Sequence, residues 1–193
     1  MGKVNTATKQ YMKKNEIAAD IFNFLIYDGE QIIQPEFLSE LDPVEVDMPY
    51  GDGRSELSVE KVRDILKLLA LKTDGHTVYA LLGIENQEAI HYAMPVRSMI
   101  YDALAYVDQV KRIAEKHKEK KEWKGLRKGE YLSGLHKGDK LFPVVTIVVY
   151  FGAEKWDGPI SLHDILEVSD PKILAMVNDY RIHLITPEGL TEP

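Results

Sequence analysis

The chain has 193 residues and 45% hydrophobic content, enough for one globular domain with an adequate core, and its pI near 5.4, with a net charge of −7, argues against a protein that coats DNA wholesale. Zero cysteines exclude disulfides, thiol catalysis and cysteine-ligated zinc, and fit a cytoplasmic setting. No run approaches roughly 18 apolar residues and the start lacks a charged-then-apolar leader pattern, so no membrane partner is expected.

Along the chain, Gly51-Asp52-Gly53-Arg54 reads as a turn between elements and not as a phosphate loop. Residues 62–87 carry the most informative pattern: two apolar runs flank Asp74-Gly75, a dipeptide that tolerates the positive φ of a tight hairpin turn. With 74 and 75 at the turn, positions summing to 149 face each other, which sets Asp64 opposite Glu85 with Gln87 on the same face. Opposed Cβ atoms lie about 5 Å apart, and two carboxylates there repel by about 3 kcal/mol at an effective dielectric of about 20. A hard cation such as Mg²⁺, which takes carboxylate oxygens, can offset this, as can a structural neutraliser such as Arg63, Lys67 or a helix elsewhere, or a place on a solvated edge.

Residues 58–70 also scan as an amphipathic helix, with Ser58 as N-cap and Val59, Val62, Ile65, Leu66 and Leu69 on one side. In that form Asp64 is only a polar-face residue. Residues 77–84 are a cleaner strand, with Val78, Ala80, Leu82 and Ile84 on one face and Tyr79 and Leu81 on the other. Apolar residues on both faces predict a buried strand at the centre of an α/β sheet.

Residues 94–122 predict one long helix, opened by Pro95 and striped by Met99, Ile100, Ala103, Leu104, Val107 and Val110. Its end merges into the strongly basic segment 111–128, where nine Lys or Arg stand against three Glu. The segment is thus +6, which leaves −13 for the rest of the chain. Lys111, Arg112, Lys116, Lys120, Lys121 and Lys124 are the candidate phosphate contacts, with Trp123 among them as a stacking platform. A solvated helix end is the structural alternative. Beyond lie a Gly-rich connection (125–140), a strand of β-branched residues (142–151), a turn with Trp156 (152–158), a short helix capped by Ser161 (161–167), another after Asp170-Pro171 (172–178) and a last short strand (180–185).

The run Leu81-Leu-Gly-Ile-Glu-Asn-Gln87, with Ile90-His-Tyr-Ala-Met-Pro-Val-Arg97, Tyr101-Asp-Ala-Leu-Ala-Tyr106 and Gln109, resembles the recombination-promoting nuclease/transposase-like family of the PD-(D/E)XK nuclease superfamily. Arg63-Asp64, the helix-like 15–25 followed by Asp28-Gly29 and Pro35-Glu36, and 143–152 extend the likeness over most of the chain. The resemblance implies a single domain with a restriction-endonuclease-like mixed central sheet flanked by helices, and Mg²⁺- (or Mn²⁺-) dependent hydrolysis of DNA phosphodiesters. Asp64 and Glu85 would be the metal ligands, and Gln87 would stand where the superfamily carries Lys. An amide supplies neither a base nor a charge, so Gln87 could only orient water or phosphate. From the N-terminal helix the resemblance offers Asp20 as a further ligand, with Glu16 and Asn23 near it. Arg97 is implied to meet phosphate, pairing with a nearby acid such as Asp102 being the structural alternative. Members commonly continue into a further helical region, so the resemblance implies a C-terminally shortened member. A homodimer is the expectation if both strands of a duplex are cut.

Other chemistries find little support. The six His residues show no metal-ligand pairing at helical spacing, only His91 lies beside the implied site, and there is no nucleophile elbow. The rival functional classes are a nuclease-derived DNA-binding or partner-binding protein that does not cut, and an α/β scaffold whose opposed acids are neutralised structurally.

Overall fold

The structure is a computed structural model describing residues 3–41, 46–47, 58–59, 64–73, 76–122, 124–168 and 170–188. Helices α1 (Lys3–Met12) and α2 (Asn15–Ile26) lead through a 3₁₀ turn (Pro35–Phe37) to strand β1 (Leu38–Leu41), and the short strands β2 (Val46–Asp47) and β3 (Ser58–Val59) pair with each other. The hairpin β4 (Ile65–Thr73) and β5 (His76–Gln87) follows, then the long α3 (Met94–Glu119), α4 (Lys128–Ser133) and β6 (Val144–Tyr150). A 3₁₀ turn (His163–Ile165), α5 (Pro171–Leu174) and β7 (His183–Ile185) follow as the last elements among the described residues.

Five strands form one mixed sheet in the order β1-β4-β5-β6-β7. The pairs β1/β4 and β4/β5 are antiparallel, while β5/β6 and β6/β7 are parallel. The parallel step from β5 to β6 needs a crossover, and α3 provides it. Side chains alternate across each strand, so Leu82 and Ile84 of β5 join Ile65, Leu69 and Leu71 of β4, Ile147 and Val149 of β6, and Ala18, Ala19 and Phe22 of α2 in one core. The opposite face meets α3, where Met94 packs with Val148 and Ile182. Buried Asp102 of α3 accepts hydrogen bonds from the hydroxyls of Thr146 and Tyr180, tying the helix to β6 and to the segment before β7. The amide of Gln109 donates to Phe142 O at 3.1 Å and accepts from Phe142 N–H at 2.7 Å, anchoring the entry to β6.

The strand form of 65–73 prevails over the helix that its Leu, Lys and Ala content also favours, because both of its edges are paired and both of its faces are covered. One consequence is a buried lysine. Lys67 is 1% exposed, and its ammonium donates to Lys13 O at 2.6 Å and Asn15 Oδ1 at 2.8 Å. Burial pushes its pKa below the ordinary lysine value, against the pull of Glu40.

Elsewhere the structure corrects several expectations. The segment 161–167 contains a 3₁₀ turn of three residues whose N-cap is Leu162 rather than Ser161; the Asp164 carboxylate, from within the turn, accepts the Ile160 and Ser161 N–H groups at 2.9 and 2.8 Å. Helix α5 stops at Leu174 instead of running to 178, with Asp170 accepting Lys172 N–H at 2.8 Å as its cap. The last strand begins at His183, and the connection 125–140 contains α4. Helix α1 has no counterpart among the expected elements. Trp123, Asp74 and Gly75 lie outside the described residues. Among the described residues no helix is long and apolar enough to cross a membrane.

Candidate functional site

The hairpin register follows the sum of 149 throughout, from Thr73 opposite His76 to Ile65 opposite Ile84. One residue further, Asp64 stands just before β4 and meets the end of β5. Its N–H donates to Glu85 Oε1 at 3.3 Å, and its own Oδ2 accepts the N–H of Asn86 at 3.0 Å. Glu85 is fully buried and Gln87, two residues on and on the same face, is 8% exposed. The predicted carboxylate pair is therefore assembled, by backbone pairing that leaves each carboxylate one oxygen bound to an N–H group and one facing a cation.

Those cations are Lys9 and Arg97. Lys9 Nζ lies 3.0 Å from Asp64 Oδ1, and Arg97 Nη2 lies 3.2 Å from Glu85 Oε2. Of the neutralisers expected from sequence, a helix elsewhere is the one observed, twice over: Lys67 turns into the opposite face, and Arg63 is outside the described residues. Arg97 thus pairs with a nearby acid, as its structural alternative has it, but the acid is Glu85 and not Asp102, which is engaged by Thr146 and Tyr180. Tyr101 holds Arg97 from one helical turn away, accepting from Nε at 3.1 Å with the guanidinium 5.5 Å from its ring centre. Burial works against the charge of Arg97, but the Tyr101 hydrogen bond and the Glu85 and Asp64 carboxylates outweigh it and raise its pKa. Side-chain exposure rises outward, from Glu85 at 0% through Asp64 at 13% to Arg97 at 27% and Lys9 at 29%, so the two cations face solvent while Glu85 is sealed beneath them.

The remaining expected residues are dispersed. Asp20 and Glu16 are exposed on α2, which packs on the sheet face opposite to Glu85. Asn23 is a structural residue: fully buried, it accepts Ile33 N–H at 2.7 Å and donates to Ile33 O at 2.9 Å, holding the loop after α2. Lys111, Arg112, Lys116, Lys120, Lys121 and Lys124 are all exposed, on the distal half of α3 and just beyond it. Arg112 pairs with Asp108 at 2.6 Å. At 1.5 Å per residue, Lys116 lies about 28 Å along α3 from Arg97.

Lys9 is a site residue that sequence reasoning missed, and Tyr101 one to which it gave a place on the face of Arg97 but no role. Tyr101 had a signal, its spacing of four from Arg97 on a helix. Lys9 had none, because the ion pair depends on how α1 docks beside β5.

The carboxylate oxygens of Asp64 and Glu85, with the Gln87 amide on the same face, are hard donors of the kind Mg²⁺ and Mn²⁺ prefer, so the residues fit such an ion. Comparison of the chain with protein-family models, with curated proteins and with solved structures found no match in any of the three.

Proposed function

We propose that the protein is a Mg²⁺- (or Mn²⁺-) dependent DNA endonuclease of the recombination-promoting nuclease/transposase-like family, with Asp64 and Glu85 as metal ligands and Gln87 orienting water or phosphate. The observation that carries this reading is the meeting of Asp64 with Glu85 at the end of the central hairpin, beside two cations. The mixed five-stranded sheet, antiparallel on one side of β5 and parallel on the other, supports a restriction-endonuclease-like arrangement.

Charge balance gives the site its logic. Two carboxylates, one ammonium and one guanidinium sum to about zero. A bound dication raises this to +2, which suits a phosphodiester whose negative charge grows towards the transition state. When bound, the metal would orient water and stabilise charge on the phosphate. Lys9 and Arg97 then stand at the solvent side, where Arg97, pre-oriented by Tyr101, can exchange a carboxylate oxygen for a phosphate oxygen in the bidentate manner of guanidinium. Gln87 supplies a neutral amide that donates and accepts without taking a proton. The exposed lysines about 28 Å along α3 would hold the flanking DNA; that span matches roughly eight nucleotides at 3.4 Å per nucleotide of one strand.

Plasmid cleavage tests this. Supercoiled DNA with Mg²⁺ should be nicked or linearised by the wild type, and at least a hundredfold more slowly by Asp64→Ala and Glu85→Ala. Equal cutting by all three would remove the pair from catalysis. A second reading, a nuclease-derived DNA-binding protein that no longer cuts, draws on the same ion pairs, since Lys9 and Arg97 already neutralise both acids. It predicts DNA retardation without cleavage by any of the three proteins.

A further inference from the structure

A second cluster of metal-ligating side chains lies at the far end of α3. His117, in the last turn of that helix, sits about 30 Å along it from Arg97. Its Nε2 lies 2.9 Å from Asp139 Oδ2 and its Nδ1 lies 2.5 Å from Glu122 Oε2. The ring of His136 stacks on it, with centroids 3.6 Å apart and planes at 17°. One ligand atom from each of His117, His136 and Asp139 falls within 4.8 Å of the others, and all three residues are half-buried.

We propose that His117, His136 and Asp139 form a cation site, separate from the Asp64–Glu85 pair, that takes a divalent transition metal of the Zn²⁺ class and staples the end of α3 to the loop leading into β6.

The donor set sets the metal class. Two imidazoles and a carboxylate suit Zn²⁺ and its neighbours, with solvent as fourth ligand, whereas Mg²⁺ prefers oxygen alone. A tetrahedral Zn²⁺ would draw ligand atoms to about 3.4 Å from one another, a contraction that side-chain rotation can supply. Glu122 occupies the place of a supporting carboxylate: a histidine that binds metal through Nε2 characteristically donates its Nδ1–H to a carboxylate, which fixes its tautomer and orientation.

The backbone brings this cluster together at a glycine. Helix α4 ends at Gly134 in the left-handed conformation, φ +72°, and a Cβ there would lie 2.6 Å from Ala114 Cβ. Only glycine lets the loop approach α3 so closely, one turn before His117. The loop is then closed on itself. Asp139 N–H donates to His136 O at 2.9 Å, Asp139 Oδ2 accepts His136 N–H at 2.7 Å, and Glu130 accepts Lys137 N–H at 2.9 Å. The carbonyl end of α3 adds a favourable field for a cation.

The test is metal-dependent stability of the full chain after chelation. Equimolar Zn²⁺ should raise the unfolding midpoint of the wild type by several degrees, and Co²⁺ in its place should give the visible absorption of a low-symmetry site. Both effects should persist in Asp64→Asn/Glu85→Gln and vanish in His136→Ala, with affinity for Zn²⁺ at least tenfold weaker. Midpoints in chelator show that His136→Ala folds; if it does not, His136→Gln takes its place. No shift in the wild type, or an equal shift in the His136 variants, overturns the site and leaves His117 as a side chain held by hydrogen bonds between Glu122 and Asp139.

Discussion

At the scale of single residues, the interior contains polar side chains whose roles separate cleanly. Asn23 works for the fold alone. It answers both backbone groups of Ile33 from a fully buried position, so Asn23→Ala would leave an N–H and a carbonyl unpaired in the core. The expected cost is about 2–4 kcal/mol, read from urea unfolding; a change below about 0.5 kcal/mol would mean that the loop finds other partners. Glu85 is different, being a buried acid that meets another acid and a cation. Spacing alone brought out Glu85 and Asp64, since a two-residue turn fixes the pairing of everything beyond it. The neutralising partners were not legible in the same way. Lys9 and Arg97 come from helices on either side of the hairpin in sequence, and nothing local to Asp64 or Glu85 points to them.

At the scale of elements, the ends of strands decide where the site groups stand. Gln87 is fixed by the end of β5: Phe151 N–H donates to Gln87 O at 3.0 Å, and the chain then turns at Gly152. A Cβ on Gly152 would come within 2.3 Å of the Tyr150 hydroxyl and 2.6 Å of the Glu88 carbonyl oxygen. Since backbone cannot yield as a flexible side chain does, Gly152→Ala is expected to destabilise by about 2 kcal/mol or more. A variant as stable as wild type would show that the turn relaxes freely. The connection before β7 has a pH signature. N–H groups of Ser161 and Ile160 hold the Asp164 carboxyl below its ordinary value. The folded chain thus resists protonation more than the unfolded one. The contribution is full above the unfolded pKa and is lost as pH falls through the lower folded value. Urea midpoints measured from neutral to strongly acid pH should fall less steeply for Asp164→Asn than for wild type; parallel curves would contradict this. The long helix α3 and strands β5 and β6 were legible because their apolar periods are long and unambiguous. The short elements were not: α4 sits in a Gly-rich stretch, and the turn at 163–165 has no side-chain cap, its Asp164 bonding instead to N–H groups that precede it.

At the scale of the whole molecule, α3 is the organising member. It crosses from β5 to β6, carries Arg97 at one end and the exposed lysines at the other, and is held to the sheet by Asp102 and Gln109 between them. The proposed DNA track therefore runs along one rigid element. Replacing Lys116, Lys120 and Lys121 together by Ala should weaken DNA retention and reduce the slope of log affinity against log salt by roughly 0.9 for each phosphate that is no longer neutralised. An unchanged slope would assign these lysines to solvent. The central claim concerns the other end of α3, where Asp64 and Glu85 are to hold a divalent cation for phosphodiester chemistry. Mn²⁺ binding, followed by the spectroscopic signal of the free ion, tests it most directly. The account predicts a site in the wild type that is lost in Asp64→Asn/Glu85→Gln and retained in His136→Ala. Mn²⁺ binding of unchanged stoichiometry and affinity in Asp64→Asn/Glu85→Gln would contradict it.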